Sequence, residues 1–184
     1  MEFETLATER LLLRKITAEG FNYIFENYSE AEIKDQLGLT TEEEFIKERE
    51  KNKGGYVTYD RSIVQFKLIL KETNEVIGSC GYHNWYVGHR KAELGYVLIK
   101  DEHKRKGYMS EAVNTILDYG FNRMNLNRIE ACIGPGNIAS LHLIKKYGFT
   151  REGYLRQHFT RDGEIQDTII FSLLKEEYKI NNNQ

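Results

Sequence analysis

The spacing of the apolar residues changes at Gly107, and this change constrains the fold more than any other feature of the chain. Before it, residues 62–99 read as three strands separated by turn-prone segments at 72–75 and 86–91. After it, apolar residues recur at i, i+3, i+4, i+7, i+8 and i+11, which predicts an amphipathic helix. The buried face of that helix is predicted to contain Val113, Ile116, Leu117, Gly120, Phe121 and Met124.

The rest of the chain divides into further strands and helices. The additional predicted strands are 8–16, 127–133, 148–159 and 164–174. Residues 17–53 are rich in Glu and Lys and poor in β-branched residues, which favours helices. Asn137 is predicted to cap a helix with Leu141, Ile144 and Tyr147 facing inward. Asp162-Gly163 predicts a hairpin between the last two strands.

This order of elements predicts the fold class. The first strands form antiparallel pairs, and each strand–helix–strand crossover implies a parallel pair. The result is an α/β or α+β fold, a mixed and mostly antiparallel sheet with helices on both faces. No linker or repeat interrupts the 184 residues, so we expect one domain over 1–180 and a polar tail at 181–184.

Composition excludes several function classes. The net charge of −2 gives no indication of nucleic-acid binding, and no apolar run is long enough to span a membrane. The first ten residues lack the basic start and apolar middle of a signal peptide, so we expect a cytoplasmic protein. Cys80 and Cys132 each lie in a strand-like run without ligand spacing, which predicts buried reduced thiols and no metal.

A basic segment lies between the third strand and the helix that follows it. The strand ends near Ile99 and the helix begins near Tyr108, so the first N–H groups of the helix lack intrahelical partners. Gly107 allows a ligand close to the backbone, and the run Lys104–Lys106 adds positive charge. These features predict a phosphate or pyrophosphate site, although a solvated helix start would have the same composition. The GxxxxGK[ST] and GxGxxG motifs are absent, which disfavours a P-loop-type nucleotide enzyme.

Two longer stretches carry a family resemblance. "AELGYVLIKDEHKRKGYMSEA" and "GNIASLHLIKKYGFTREGYLR" resemble the GNAT superfamily of acetyl-CoA-dependent N-acetyltransferases. The closest similarity is to the branch with ribosomal-protein N-terminal acetyltransferases and spermidine acetyltransferases. The start "TERLLLRKI" and the ending "EGYLRQHFTRDGEIQDTIIFSLL" stand in the same order as in that branch, so the resemblance covers nearly the whole chain.

The resemblance implies where acetyl-CoA binds. In the family it lies in a V-shaped split between two strands, which here are 93–99 and 128–133. Its pantetheine arm is implied to pair with the backbone near Val97 and Ile99, whose N–H groups would also polarise the thioester carbonyl. The family's loop pattern, Gln/Arg-x-x-Gly-x-Gly/Ala, falls on residues 104–109, where Lys104 and Met109 depart from it. Met109 is expected to crowd the loop or shift its path. The residues that the resemblance implies for acetyl-CoA binding are Val97, Leu98, Ile99, Lys104, Arg105, Lys106, Gly107, Tyr108, Met109, Ser110, Asn137 and Ser140.

The resemblance also implies catalytic residues. The amine acceptor must lose a proton before it attacks, and Glu93 is the candidate base, with a solvent-facing strand-end Glu as the alternative. His158 is a second candidate base, with an ordinary strand histidine as its alternative. The tyrosine acid of many family members falls on Ile144, so Ser140 is the candidate substitute. Ser140 and Asn137 could equally serve only to cap the helix.

The expected reaction is direct acetyl transfer from acetyl-CoA to a primary amine in a ternary complex. By branch resemblance, a protein N-terminal amine ranks above a polyamine or another small amine. The resemblance implies that the helical segment 17–53 forms a wall of the acceptor site. Its ten acidic and five basic residues would favour a cationic amine, and the alternative is an ordinary solvated helical surface. A non-catalytic acyl-CoA-binding module is the alternative from another class, and a homodimer is compatible with either.

Overall fold

The computed structural model describes residues 1–58, 60–161 and 163–182. Within them, the strands are β1 Thr5–Ala7, β2 Leu11–Thr17, β3 Ser62–Leu70, β4 Val76–Tyr86, β5 Lys91–Leu98, β6 Arg128–Ile133, β7 Thr150–Arg161 and β8 Glu164–Leu174. The helices are α1 Ala18–Asn27, α2 Glu30–Leu37, α3 Glu42–Gly54, α4 Tyr108–Asp118, α5 Ile138–Lys146 and α6 Lys175–Asn182. Asp162, half of the predicted hairpin, lies outside the described residues.

All eight strands form one sheet in the order β1-β2-β3-β4-β5-β6-β8-β7. Every neighbouring pair is antiparallel except β5 and β6, which confirms the predicted mixed, mostly antiparallel sheet. The second predicted parallel pair is wrong, because β8 lies between β6 and β7. The sequences explain this order: β8 carries the apolar run Thr168–Leu174, whereas the charged strand β7 suits an edge of the sheet.

Helices cover both faces of the sheet, as predicted. On one face α4 buries Val113, Ile116 and Leu117 against the strands. The Tyr82 hydroxyl reaches across this interface and donates a hydrogen bond to the Ile116 carbonyl at 2.7 Å. Gly120 makes the approach feasible, since a Cβ there would lie 2.3 Å from that hydroxyl. On the other face, α1, α2 and α3 form a second cluster from Ile16, Phe21, Ile24, Ile33, Leu37 and Phe45.

Three details differ from the sequence-based expectations. The predicted first strand at 8–16 begins only at Leu11, because Thr8 forms a turn in which its hydroxyl accepts a hydrogen bond from the Leu11 amide. α6 follows β8 directly and runs to Asn182, two residues into the predicted tail. Cys80 is buried as expected, but the expectation for Cys132 is wrong: it is exposed, because β6 diverges from β5 before reaching it.

Within the described residues, no helix is both long and apolar enough to span a membrane.

Candidate active site

A gap opens in the sheet where its two parallel strands diverge. β5 and β6 pair only at Lys91↔Arg128, Ala92↔Ile129 and Glu93↔Glu130. Beyond Glu93, β5 continues to Leu98 without any further pairing to β6 among the described residues. A cavity of about 900 Å³ occupies the gap, with Tyr96, Ser140 and Glu93 in its wall. The split is therefore a cleft in the sheet, and the unpaired edge of β5 forms one of its sides.

The open edge of β5 presents different amides from those first expected. The Ile99 amide already donates to the Ile77 carbonyl on β4 at 3.0 Å. The amides of alternate residues in a strand point to opposite edges. The register of β4 and β5 therefore turns the Leu98 and Tyr96 amides away from β4 and toward the split. The expectation that the Ile99 amide is available to a ligand is thus wrong.

The basic loop leads from β5 into α4 and has the geometry of an anion site. Gly107 is the N-cap of α4 with φ of 83°, and no side chain of the described residues caps this helix. Arg105 also has positive φ, at 60°, so the loop backbone is curled in front of the helix. Lys104, Arg105 and Lys106 are exposed. Uncapped amides, the helix dipole and three cations together suit a pyrophosphate.

Arg10 braces this loop from the turn between β1 and β2. Its Nη1 donates to the Lys106 carbonyl at 2.9 Å, and its Nε pairs with Glu111 Oε2 at 2.7 Å. Its guanidinium also lies 4.6 Å from the centre of the Tyr108 ring. Burial raises the pKa of Glu111, but hydrogen bonds from Thr8 and Arg10 outweigh it and keep that pKa below its usual range. The sequence predicts no role for Arg10, although it lies in the "TERLLLRKI" stretch that resembles the family.

A second brace reaches the loop from the C-terminal end of α5. The Tyr147 hydroxyl lies 2.9 Å from the Ser110 hydroxyl, and Lys146 Nζ donates to the same oxygen at 2.5 Å. Tyr147 packs against the core as expected, yet it also fixes the first turn of α4. Met109 packs against the main core cluster, so its side chain does not crowd the loop, and a shift of the loop path stays a prediction. The loop is thus held from two sides.

The start of α5 forms the wall of the split opposite β5. Asn137 Oδ1 accepts a hydrogen bond from the Ser140 amide at 3.1 Å, so Asn137 does cap the helix. Both residues also line the cavity, and the Ser140 side chain is half-buried there. Burial raises the pKa of Tyr96 across the split, and the nearby Ser140 hydroxyl offsets part of that rise. Ile144 is buried in the core, so the position of the family's tyrosine offers no acid.

Glu93 lies where the split begins, and its side chain is 19% exposed. His83 Nε2 lies 3.2 Å from Oε1, and Asn84 Nδ2 donates to Oε2 at 3.0 Å. Burial raises the pKa of Glu93, but hydrogen bonds from His83, Asn84 and the Cys132 thiol outweigh burial and hold it below its usual range. The carboxylate is therefore ionised at neutral pH. The sequence predicts no role for His83 because its partner lies on another strand.

The far wall of the cavity comes from the β7–β8 hairpin. Asp167 Oδ1 accepts a hydrogen bond from the Gln157 amide at 2.7 Å, and Oδ2 accepts one from the Tyr154 hydroxyl at 2.5 Å. These bonds stabilise a bulge between Leu155 and Phe159. A second cavity of about 770 Å³ shares Tyr154, His158 and Asp167 with the first, so the open space continues over the bulge. His158, the second candidate base, is exposed at this junction.

The acidic helical segment does not contribute to this wall. Within the part of the chain that the structure describes, the cavity lining includes no residue of α1, α2 or α3. Many of their carboxylates instead pair with lysines of the same helix or of its neighbour, as Lys34 does with Glu30 and Glu42 at 2.6 Å each. The expected acidic acceptor wall at 17–53 is therefore wrong for this cavity, and the charge belongs to a solvated surface.

One cluster of possible metal ligands lies beside the loop. Ligand atoms of Glu75, Glu102 and His103 lie within 4.8 Å of one another. The Lys100 ammonium lies 2.6 Å from Glu75 and 3.7 Å from Glu102. A cation of the chain itself therefore pairs with both carboxylates.

Comparison with known proteins gives one consistent family. The family model described as an acetyltransferase (GNAT) domain matches residues 10–150. N-acetyltransferase p20 of Bacillus licheniformis, described as uncharacterized, is 38% identical over 95% of this chain and 98% of its own. Spermidine N(1)-acetyltransferase of Vibrio cholerae is 34% identical over 49% of this chain and 51% of its own. A solved GNAT-family acetyltransferase from Bacillus anthracis has a TM-score of 0.66 at 30% identity, over 95% of this chain and 100% of that one.

Proposed function

The chain belongs to the GNAT family of acetyltransferases, and from this premise we propose that it moves the acetyl group of acetyl-CoA to the α-amine of a protein N-terminus. Transfer is direct, in a ternary complex of enzyme, acetyl-CoA and amine. The observation that carries the proposal is the continuous split between β5 and β6, which joins the α5 wall at Ser140 to the ionised Glu93.

The residues around the split fit acetyl-CoA as a substrate. The amides at Gly107–Ser110 and the cations Lys104–Lys106 bind the pyrophosphate. The open β5 edge at Val97–Ile99, through the Leu98 amide, pairs with the amide-containing arm. Acetyl-CoA supplies the activated acyl group as a thioester. Tyr96 and Leu98 amides are the donors that stabilise negative charge developing on the thioester oxygen.

Proton transfer takes place at two places in the split. An ammonium has no lone pair, so the acceptor must lose a proton, and the Glu93–His83 pair lies where it enters. The departing thiolate lies toward α5, where the Ser140 hydroxyl is the proton donor and the Tyr96 hydroxyl lies across the split. Because a free thiol has a pKa near 8.5, this second transfer assists the reaction without being essential.

The shape of the acceptor side favours a peptide over a small amine. One cavity of about 900 Å³ already suffices for a small ligand, yet the space continues over the β7 bulge into the second cavity. In a bound peptide, the residues that follow the N-terminus would leave the split and occupy this second cavity. A polyamine is the second candidate, supported by the similarity to spermidine N(1)-acetyltransferase and by the carboxylates of Glu93 and Asp167 in the cavity wall.

A panel of acceptors tests the proposal. Free thiol release from acetyl-CoA is measured with N-terminal peptides, the same peptides with blocked N-termini, and polyamines. We expect turnover with free peptides, none with blocked peptides, and a lower kcat/KM for polyamines. A preference for polyamines would transfer the assignment to the second candidate. Tight acetyl-CoA binding without thiol release from any acceptor would indicate a non-catalytic acyl-CoA-binding module.

A further inference from the structure

We propose that His83 is the general base of acetyl transfer and that Glu93 is the positioning residue that orients its imidazole. The inference rests on the proposed function, because it concerns the step in which the acceptor amine loses its proton. It assigns different tasks to two side chains that lie together at the mouth of the split.

The register of β4 and β5 places the two side chains together. His83 lies directly opposite Glu93, and the 3.2 Å separation of Nε2 and Oε1 is a hydrogen-bond distance. Asn84 fixes the other carboxylate oxygen at 3.0 Å. A carboxylate held on both sides favours the imidazole tautomer with its hydrogen on Nε2, and leaves the lone pair on Nδ1.

Gly95 gives the imidazole its place above β5. A Cβ atom at this position would lie 2.9 Å from both Cε1 and Nδ1 of His83. Glycine in the middle of a strand weakens the strand, and here it leaves the room that the ring requires. The Nδ1 edge of His83 therefore lies over the part of β5 that lines the cavity, and the side chain is 44% exposed.

Glu93 itself is poorly suited to take the proton. Burial raises its pKa, but the hydrogen bonds from His83, Asn84 and Cys132 outweigh burial and lower it. A carboxylate stabilised by three donors holds a proton weakly. Imidazole is the side chain whose proton affinity best matches transfer near neutral pH.

Other titratable groups line the same cavity, from β6, β7 and β8. Burial and the neighbouring Glu93 raise the pKa of Cys132 to about 12, so its thiol remains a donor. Asp167 is held by Tyr154 and Gln157, and His158 is exposed on the edge strand. Among the groups that the structure describes in this cavity, His83 is the imidazole with a carboxylate partner.

Acetyl transfer begins at the acceptor ammonium. Nδ1 of His83 takes one proton from the acceptor ammonium, and the Glu93 carboxylate stabilises the resulting imidazolium. The neutral amine attacks the thioester carbonyl; the C–N bond forms, the C–S bond breaks, and the sulfur leaves with its electron pair. The amide nitrogen releases a second proton, which reaches the thiolate through water or the Ser140 hydroxyl. His83 then returns its proton to water.

The test is the pH dependence of kcat/KM for a peptide acceptor in wild type, His83→Gln and Glu93→Gln. Glutamine at 83 still offers a donor to Glu93 but cannot act as a base. We expect His83→Gln to lose about a hundredfold at neutral pH and to lose the acidic limb of the profile, with acetyl-CoA affinity unchanged. Glu93→Gln should lose about tenfold and keep that limb. His89→Gln, in the exposed β4–β5 turn, is the matched control and should behave as wild type.

The outcomes separate this inference from the proposed function. Wild-type turnover that survives in His83→Gln with an unchanged profile would overturn the base assignment alone. Loss of the acidic limb only in Glu93→Gln would identify Glu93 as the base and overturn it as well. If wild type binds acetyl-CoA but releases no thiol with any acceptor, the proposed function and the role of His83 both fail.

A second variant moves the imidazole without removing it. In Gly95→Ala the new methyl group must push the ring away from β5. We expect a lower kcat together with a changed nitrogen chemical shift for the His83 ring in NMR spectra. A displaced ring with an unchanged kcat would overturn the proposal.

Discussion

The loop at 104–110 follows the end of β5, the acceptor end at Glu93 lies near the start of β5, and the two are built from different parts of the chain. The loop offers backbone amides at the start of α4, and its three cations project into solvent. The acceptor end offers side chains from five strands, with Glu93 bonded to His83 of β4 and Cys132 of β6. The loop end therefore depends on the backbone at the start of a helix, and the acceptor end depends on the register of neighbouring strands.

This difference determines how each end should respond to mutation. A backbone site tolerates changes in its exposed side chains but not a change that blocks its amides or alters its φ angles. A side-chain site loses function when a single partner is removed, because the remaining partners keep their desolvation cost. Variants of the loop should change the affinity for acetyl-CoA, and variants of the acceptor end should change turnover or the acceptor KM.

The largest expected effect is that of Gly107→Glu. Gly107 has φ of 83°, so any other residue is strained there by about 1 kcal/mol, and a carboxylate would repel the pyrophosphate. We expect acetyl-CoA affinity, measured by calorimetry, to fall at least about a hundredfold. Gly55→Glu is the matched control, since Gly55 has φ of 79° and open space around its Cβ position. Retained affinity in Gly107→Glu would show that the amides of the loop do not bind the phosphates.

The local geometry of the loop end can be predicted from the sequence. Gly107, the cations before it and the helix period after it are contiguous, so local patterns predict their arrangement. The sequence does not predict the brace by Arg10, because Arg10 and Glu111 are far apart in sequence and only the fold brings them together.

At the acceptor end, only individual residues could be predicted. Glu93 stood out as a charged residue between Ala92 and Leu94, but its partnership with His83 depends on a β4–β5 register that no local pattern specifies. Local patterns do not specify the order β6-β8-β7 either. Crossover rules fix the direction of each strand, but they do not determine which strand of the final hairpin pairs with β6. The exposed Cys132 follows from the end of β5–β6 pairing, which is likewise a tertiary feature.

Asp167→Asn should have the second largest effect, confined to the acceptor end. The amide replaces one acceptor oxygen with an NH2 group, so it loses the bond that the Tyr154 hydroxyl donates to Oδ2, while Oδ1 can still accept from the Gln157 amide. We expect the bulge to loosen and the acceptor KM to rise about tenfold, with the KM for acetyl-CoA unchanged. Asp60→Asn, an exposed residue outside the cavity lining, is the control. An equal rise in both KM values would remove the distinction between the two ends.

Arg10→Ala should act on the loop end and more weakly. The variant loses the bond to the Lys106 carbonyl and the ion pair with Glu111, but the amides of the loop remain. We expect the KM for acetyl-CoA to rise about fivefold at unchanged kcat, because a bond of this kind contributes about 1 kcal/mol. Arg123→Ala, which loses an ion pair with Glu4 away from the loop, should leave both constants unchanged. A large fall in kcat with no change in KM would contradict the bracing role.

Ser140→Ala should have the smallest effect. Its backbone amide still donates to Asn137, so the cap of α5 is kept and only the hydroxyl in the split is lost. We expect kcat to fall about threefold, since proton donation to the thiolate assists without being essential. Single-turnover measurements of acetyl transfer test the role of the hydroxyl. Thermal unfolding of the variant checks that the cap of α5 is kept. An unchanged rate would leave Ser140 with a role in capping alone.

A crystal structure with bound coenzyme A would show whether the loop and the split hold the cosubstrate. We expect the diphosphate against the amides of Gly107–Ser110 and the arm in the split beside the Leu98 amide, with the sulfur near Ser140. Phosphate density at another place on the molecule, or an arm that lies outside the split between β5 and β6, would contradict this expectation.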